Sequence, residues 1–319
     1  MIRWGIIGFG RIAHKFAGSI ENLPDGMVYA VATRSGGQDD PYLKAHPEVV
    51  VYKDYESLLN DPKVDAVYLA LPHKFHKEWA IKTLEKKKAI LCEKPAVLNS
   101  DDMKEIKAVA LKEKTCFLEA LKTKINDGMD HLIEDLPLIG KVESIEANFC
   151  SNGLALKGTN SFLFDKEQGG ALNDVGPYLL GFVLDLLKDE VVELTSALKI
   201  VDDIDEHFHA ALTFKQGTKA IIEGAIDEAK ERYALIIGDK GKIMVPMFNR
   251  IIDYKIELND GTTLERHYPL EGDDMTKEIA ELQHCLTHHL NESPRHTMDD
   301  TIEIIEMMEK IRNNKLTVV

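Results

Sequence analysis

The sequence predicts an α/β domain with a doubly wound parallel sheet, followed by an α+β domain with a mostly antiparallel open sheet. Three observations predict it. Residues 1–120 alternate short, continuous apolar runs with amphipathic stretches. Beyond about residue 140, strand-like segments follow one another closely, several of them separated by glycine turns. The chain has 319 residues, 44% hydrophobic and 29% charged, which suits about two soluble domains, expected at 1–120 and 121–319.

In the first part, 2–7, 27–33, 66–71, 89–92 and 116–119 read as buried strands, because a parallel sheet covered on both faces needs unbroken apolar runs. Between them, 76–87 places Trp79, Ala80, Thr83 and Leu84 on one helical face. Ser100, followed by Asp101 and Asp102, reads as an N-cap with negative charge in the first turn. In the second part the strand candidates are 142–150, 194–201, 207–214, 218–226, 233–237, 242–245, 251–258 and 263–268. Lys215-Gln216-Gly217, Gly238-Asp239-Lys240-Gly241 and Asn259-Asp260-Gly261 supply turns. A helix over 170–187 covers the sheet, and two more close the chain at 275–290 and 298–313. There is no internal repeat and no low-complexity segment.

The formal net charge of −15 repels phosphate backbones and anionic lipid surfaces, which disfavours nucleic-acid and membrane partners. Cys92, Cys116, Cys150 and Cys285 are widely spaced and form no C-x-x-C pair, as expected in a reducing compartment. Arg11 interrupts the N-terminal apolar run, so no signal peptide is expected, and the stretch 176–184 is too short to span a membrane. A cytoplasmic location follows as an expectation.

Gly8-Phe9-Gly10-Arg11-Ile12-Ala13 follows the first strand and opens a helix. In that context Gly8 permits a tight turn, Gly10 lets the backbone approach a pyrophosphate at the helix N-terminus, and Ala13 keeps the helix close to the sheet. A dinucleotide-binding Rossmann domain is the reading. At the end of the second strand, where a carboxylate would bond a ribose 2′-hydroxyl, the chain has Thr33-Arg34-Ser35. Arg34 is suited to a 2′-phosphate, with Thr33 and Ser35 donating hydroxyls, so NADP(H) is preferred and NAD(H) remains possible. Leu71-Pro72-His73-Lys74-Phe75-His76 and Cys92-Glu93-Lys94-Pro95 leave the carboxyl ends of later strands, where the crevice of such a sheet lies.

These motifs, joined to Gly169-Gly170-Ala171-Leu172-Asn173-Asp174-Val175-Gly176-Pro177-Tyr178, resemble the Gfo/Idh/MocA oxidoreductase family over nearly the whole chain. The likeness is to its dimeric dihydrodiol dehydrogenase and xylose dehydrogenase branch, which carries tyrosine at the place of Tyr178 and commonly histidine at that of His73. The resemblance implies hydride transfer between a nicotinamide and a sugar-like or diol/carbonyl small molecule. Lys94, Asp174 and Tyr178 would line the substrate pocket, with His73 helping to orient substrate. The cofactor-binding candidates are Gly8, Gly10, Arg11, Ile12, Thr33, Arg34, Ser35, Leu71, His76, Glu93 and Lys94. Asp174 and Tyr178 are four apart, so a helix places both on one face. A phenol with an ordinary pKa of ~10 needs a nearby cation to exchange protons at neutral pH, and Lys94 would supply it.

After Glu119 the chain departs from its relatives, reading Leu121-Lys122-Thr123-Lys124-Ile125-Asn126, which is expected to make the pocket more polar and cationic. His284 and His288 have i, i+4 spacing but no H-E-x-x-H pattern, and His207 and His209 alternate along a strand, so no metal is expected. Two other functions stay open on the sequence: a redox-neutral, NAD-dependent glycosidase of the same family, and a non-catalytic dinucleotide or sugar sensor. A homodimer or dimer of dimers through the late sheet is expected, with 245–248 and the alternating residues of 207–214 offering apolar surface.

Overall fold

The computed structural model describes every residue except Ser35, Gly36, Gln38, Val318 and Val319, so the Ser35 candidate lies outside the described residues. The described chain forms two compact units. The first comprises residues 1–120 together with 271–302, and the second residues 121–270 together with 303–319. Placing the second domain over 121–319 leaves out this return of the chain, whose amphipathic helix carries no sequence mark of which unit it covers.

In the first unit, β1 (Ile2–Ile7), β2 (Gly26–Ala32), β3 (Val50–Tyr52), β4 (Ala66–Leu69), β5 (Ala89–Glu93) and β6 (Phe117–Ala120) form one sheet in the order β3-β2-β1-β4-β5-β6. Every pairing is parallel. The strand order reverses between β1 and β4, which opens a crevice at their carboxyl ends. The helix α1 (Arg11–Ile20) is seated by Phe16, which stacks on Tyr68 at 4.0 Å and meets the edge of Trp4 at 5.1 Å. Helices α2 (Pro41–Ala45) and α3 (Tyr55–Leu59) are single short turns with little hydrophobic period to read. The next two are α4 (His76–Glu85) and α5 (Ser100–Glu113). The cap of α5 is Asn99, whose side chain accepts from the Asp102 N–H, one residue before the Ser100 expected from sequence.

In the second unit, α6 (Asp127–Asp135) precedes β7 (Val142–Cys150), α7 (Ala171–Leu187), and the strands β8 (Val191–Val201), β9 (Ile204–Phe214), β10 (Lys219–Ala225), β11 (Tyr233–Gly238), β12 (Gly241–Val245), β13 (Asp253–Leu258) and β14 (Thr263–His267). The helix α8 (Thr276–Thr287) belongs to the first unit, α9 (Met298–Asn313) runs from one unit into the other, and β15 (Lys315–Thr317) completes the second sheet. Its order is β14-β13-β12-β11-β7-β10-β9-β8-β15, antiparallel except for β7/β10 and β8/β15.

One face of this sheet packs on α7. Phe208, Ala210, Leu212 and Phe214 point into that core, as do Val245 and Phe248. The apolar surface expected from 245–248 and 207–214 is therefore mostly interior, because the strand period sends their large residues inward. The opposite face is marked by the cross-strand row Thr195, Ala211, Ile221, Glu146, Leu235 and Met244. Among the described residues, no helix is long and apolar enough to cross a membrane.

Candidate active site

In the first unit, the turn after β1 brings Gly8 against the end of β4. Its φ is +88°, and a Cβ there would sit 2.7 Å from the Ala70 carbonyl oxygen, so only glycine fits. A Cβ on Gly10 would meet nothing within 4 Å. Gly10 also starts α1 without a side-chain cap and without an acid in the first turn, which leaves an open, electropositive helix end. Arg11 and Ile12 are exposed beside it, an unusual place for a bare isoleucine. These features fit a dinucleotide pyrophosphate and an apolar ring. Thr33 is buried and bonded through its N–H to the Tyr52 carbonyl, while Arg34 is exposed.

One contact escaped sequence reading. His14 places Nδ1 2.7 Å from the Gly10 carbonyl oxygen and Nε2 2.7 Å from the Asp40 carboxylate, tying the glycine loop to the segment after β2. The partners lie 26 residues apart, and no motif links them.

The turn after β5 is held from several directions. Glu93 accepts from the Tyr68 hydroxyl at 2.5 Å and from the Lys94 N–H at 3.3 Å. The Lys94–Pro95 peptide is cis. Fully buried His76 puts Nδ1 3.1 Å from the Pro95 carbonyl oxygen and 3.2 Å from that of Ala96, with Nε2 2.7 Å from that of Leu71. Burial lowers its pKa, against the carbonyl contacts that raise it. His76 therefore holds the β4 and β5 loops together. On the other side, Glu119 accepts from the Ala96 N–H at 2.8 Å, and its second oxygen faces His296 Nε2 and the Thr301 hydroxyl, each at 3.1 Å. Lys94 is half-buried in this frame, Leu71 is half-buried, and His73 is buried with its ring 5.6 Å from that of His76.

In the second unit, α7 begins at Gly170, whose φ of +98° admits no other residue comfortably. With no side chain there to cap the helix, Asp205 of β9 accepts from the Leu172 N–H at 2.7 Å. Burial raises the Asp205 pKa, against that bond and the Arg312 charge. Almost every side chain of α7 is buried. Asp174, Tyr178 and Asp185 are half-buried on one stripe. Asp185 is paired with Lys124 at 2.8 Å, and Asn126 caps α6 by accepting from the Met129 N–H. Lys124 and Asn126 are thus structural, not the pocket-polarising groups expected. The Tyr178 ring lies 5.5 Å from that of Phe149, and the Arg232 guanidinium covers the other ring at 3.3 Å. Phe149 and Arg232 were not singled out from sequence, since neither belongs to a motif.

Cys150, His207 and Glu223 bring potential metal-ligand atoms within 4.8 Å of one another, but Glu223 is already engaged by Lys230 at 2.6 Å and His207 at 2.7 Å. His284 and His288 lie against each other with tilted rings, centroids 4.0 Å apart.

A Rossmann sheet with a glycine turn at its switch point, joined to an open-sheet unit, defines a class of nicotinamide-dependent oxidoreductases. Residues 2–120 match the NAD-binding Rossmann-fold model of the GFO_IDH_MocA oxidoreductase family, and residues 135–244 match a C-terminal domain model of the same family. The chain belongs to that family and is an NAD(P)-dependent dehydrogenase or reductase.

Among its relatives, a trans-1,2-dihydrobenzene-1,2-diol dehydrogenase from Danio rerio is 28% identical, with 98% of this chain and 96% of the relative covered. A scyllo-inositol 2-dehydrogenase (NADP(+)) from Bacillus subtilis is 25% identical over 98% and 96% of the two chains. The solved 3-ketoreductase KijD10 from Actinomadura kijaniata, in complex with NADP and TDP-benzene, shares the fold with a TM-score of 0.88 at 23% identity, covering 99% and 98%.

Proposed function

We propose that this enzyme is an NADP(H)-preferring dehydrogenase that oxidises a carbinol, or reduces the matching carbonyl, in a sugar-like or diol small molecule. One observation carries the reading furthest: a helix buried on nearly every side presents Asp174 and Tyr178 on its half-buried stripe. The names of the diol and inositol dehydrogenases among its relatives support the substrate class. The NADP in one relative's name and in the KijD10 complex supports the cofactor, as does Arg34 at a strand end without a carboxylate.

Gly8, Gly10, Arg11 and Ile12 would hold the pyrophosphate and nicotinamide, Thr33, Arg34 and Ser35 the 2′-phosphate, and Leu71, Glu93 and Lys94 the crevice edge. Bound nicotinamide supplies or accepts the hydride. Tyr178 would exchange the proton of the reacting hydroxyl, and Lys94, Asp174 and His73 are the further candidates for moving that proton or orienting substrate. Tyr178→Phe keeps the ring and its packing on Phe149. Turnover should drop by about 10²–10⁴ while NADPH affinity persists. Full activity of that variant on a verified substrate would show Tyr178 to be only a wall.

The outward row Ile221, Leu235 and Met244 supports a homodimer joined sheet to sheet, and the four buried, unbridged thiols support a cytoplasmic location.

A further inference from the structure

Arg232 precedes β11, and its guanidinium carbon lies 3.3 Å from the centroid of the Phe149 ring that also contacts Tyr178. Its Nη1 donates to the buried Asn249 side-chain oxygen at 2.8 Å. Its Nε is buried and has no hydrogen-bond partner. Among the described residues, no carboxylate forms an ion pair with Arg232.

This is an expensive arrangement for a cation. A guanidinium half withdrawn from water, with its Nε buried, is stabilised by an anion or further acceptors, and here it has one amide oxygen and an aromatic face. Burial first, and then the charge of neighbouring Arg250, bring the Arg232 pKa down to about 10, against the opposing fields of Tyr178 and Asp174. With Nη1 occupied by Asn249, the edge left is Nε with Nη2, where two N–H groups run parallel and match two oxygens of one anion.

We propose that the substrate carries an anionic oxo group, a carboxylate or a phosphate, bound by the Nε–Nη2 edge of Arg232 on the Phe149 platform beside Tyr178. The substrate is then a sugar acid or sugar phosphate. This rests on the dehydrogenase reading above and narrows its substrate class.

The test uses the full-length protein with NADP⁺ and three groups of compounds. D-Glucose and D-xylose are neutral, D-glucuronate and D-gluconate carry carboxylates, and glucose 6-phosphate carries a phosphate. One anionic group should be turned over with the higher kcat/KM, and which one identifies the source of the charge. Arg232→Met should raise KM for that group by about 10- to 100-fold and lower its kcat/KM far more than that of the neutral compounds. Arg232→Lys keeps the charge but loses the parallel pair, so it should recover only part of the affinity. Unchanged thermal unfolding with NADPH bound would show each variant folded, and a destabilised Arg232→Met leaves Arg232→Lys to report. Preference for the neutral compounds, or an equal loss on both kinds with Arg232→Met, overturns the proposal. Tyr178→Phe in the same assay separates the two readings: its retained turnover sinks the proton role without touching Arg232, and retained anion preference in Arg232→Met does the reverse.

Discussion

The surroundings of Lys94 and those of Tyr178 are held by different forces. The Lys94 turn is fixed by directional hydrogen bonds from buried polar groups: Tyr68 through Glu93, His76 on two loops, and Glu119 backed by His296 and Thr301. Tyr178 stands on a helix positioned by apolar packing, beside the aromatic set Phe149, Phe248 and Phe182. Hydrogen bonds specify geometry sharply but leave stranded polar atoms when one partner is lost. Packing spreads its cost over many contacts and tolerates change of shape. The lysine end should therefore be brittle and the tyrosine end forgiving.

The largest expected effect tests whether the two ends act together. Lys94→Met should cut turnover by about 10²–10⁴, as Tyr178→Phe should. Groups that act as a unit are not additive, so the double variant should be little slower than the slower single one. Full multiplication of the two losses would mean that Lys94 and Tyr178 serve separate steps.

The contrast in brittleness comes next. Glu119→Ala removes the buried acceptor shared by the Ala96 N–H, His296 and Thr301 and should destabilise by about 3–5 kcal/mol. It should also lower kcat, because the Lys94 turn loses its anchor on that side. Phe248→Leu removes part of a buried ring and should cost about 1–2 kcal/mol with kcat nearly unchanged. Denaturant unfolding and steady-state kinetics on both variants check this. Equal losses at the two positions would erase the proposed difference.

This contrast also explains what the sequence made legible. Strand runs, the glycine turn and the helix carrying Asp174 and Tyr178 were readable because each is a local pattern of two, three or four residues. Element type was right along β1, β4, β7 and α9, and errors gathered in short pieces such as β3 and α2, which have too few residues to show a period. Contacts between distant segments were invisible. Glu119 meets His296 across 177 positions, and Arg232 reaches Phe149 from the segment before β11. His76 reads as a cofactor candidate because it follows a crevice loop, and that it also holds two loops together is visible only in its contacts. Lys124 and Asn126 looked like pocket polarity because their partners, Asp185 and the α6 backbone, could not be assigned.

The smallest expected effect concerns a residue held by neither force. Arg34 is exposed at the end of β2, after Thr33 has been fixed by its bond to Tyr52. An exposed arginine contributes little to the fold, so Arg34→Ala should leave thermal unfolding of the free protein nearly unchanged. Its value should appear only when a 2′-phosphate is present. A charge-assisted pair contributes roughly 1.5–3 kcal/mol, which is about tenfold or more in affinity. Fluorescence titration should therefore show NADPH binding more tightly than NADH to the parent protein. Arg34→Ala should weaken NADPH by at least that factor and leave NADH almost unaffected. The preference should also shrink as salt is raised, since an exposed pair is screened. Equal binding of the two cofactors by the parent protein would remove the 2′-phosphate from Arg34's role.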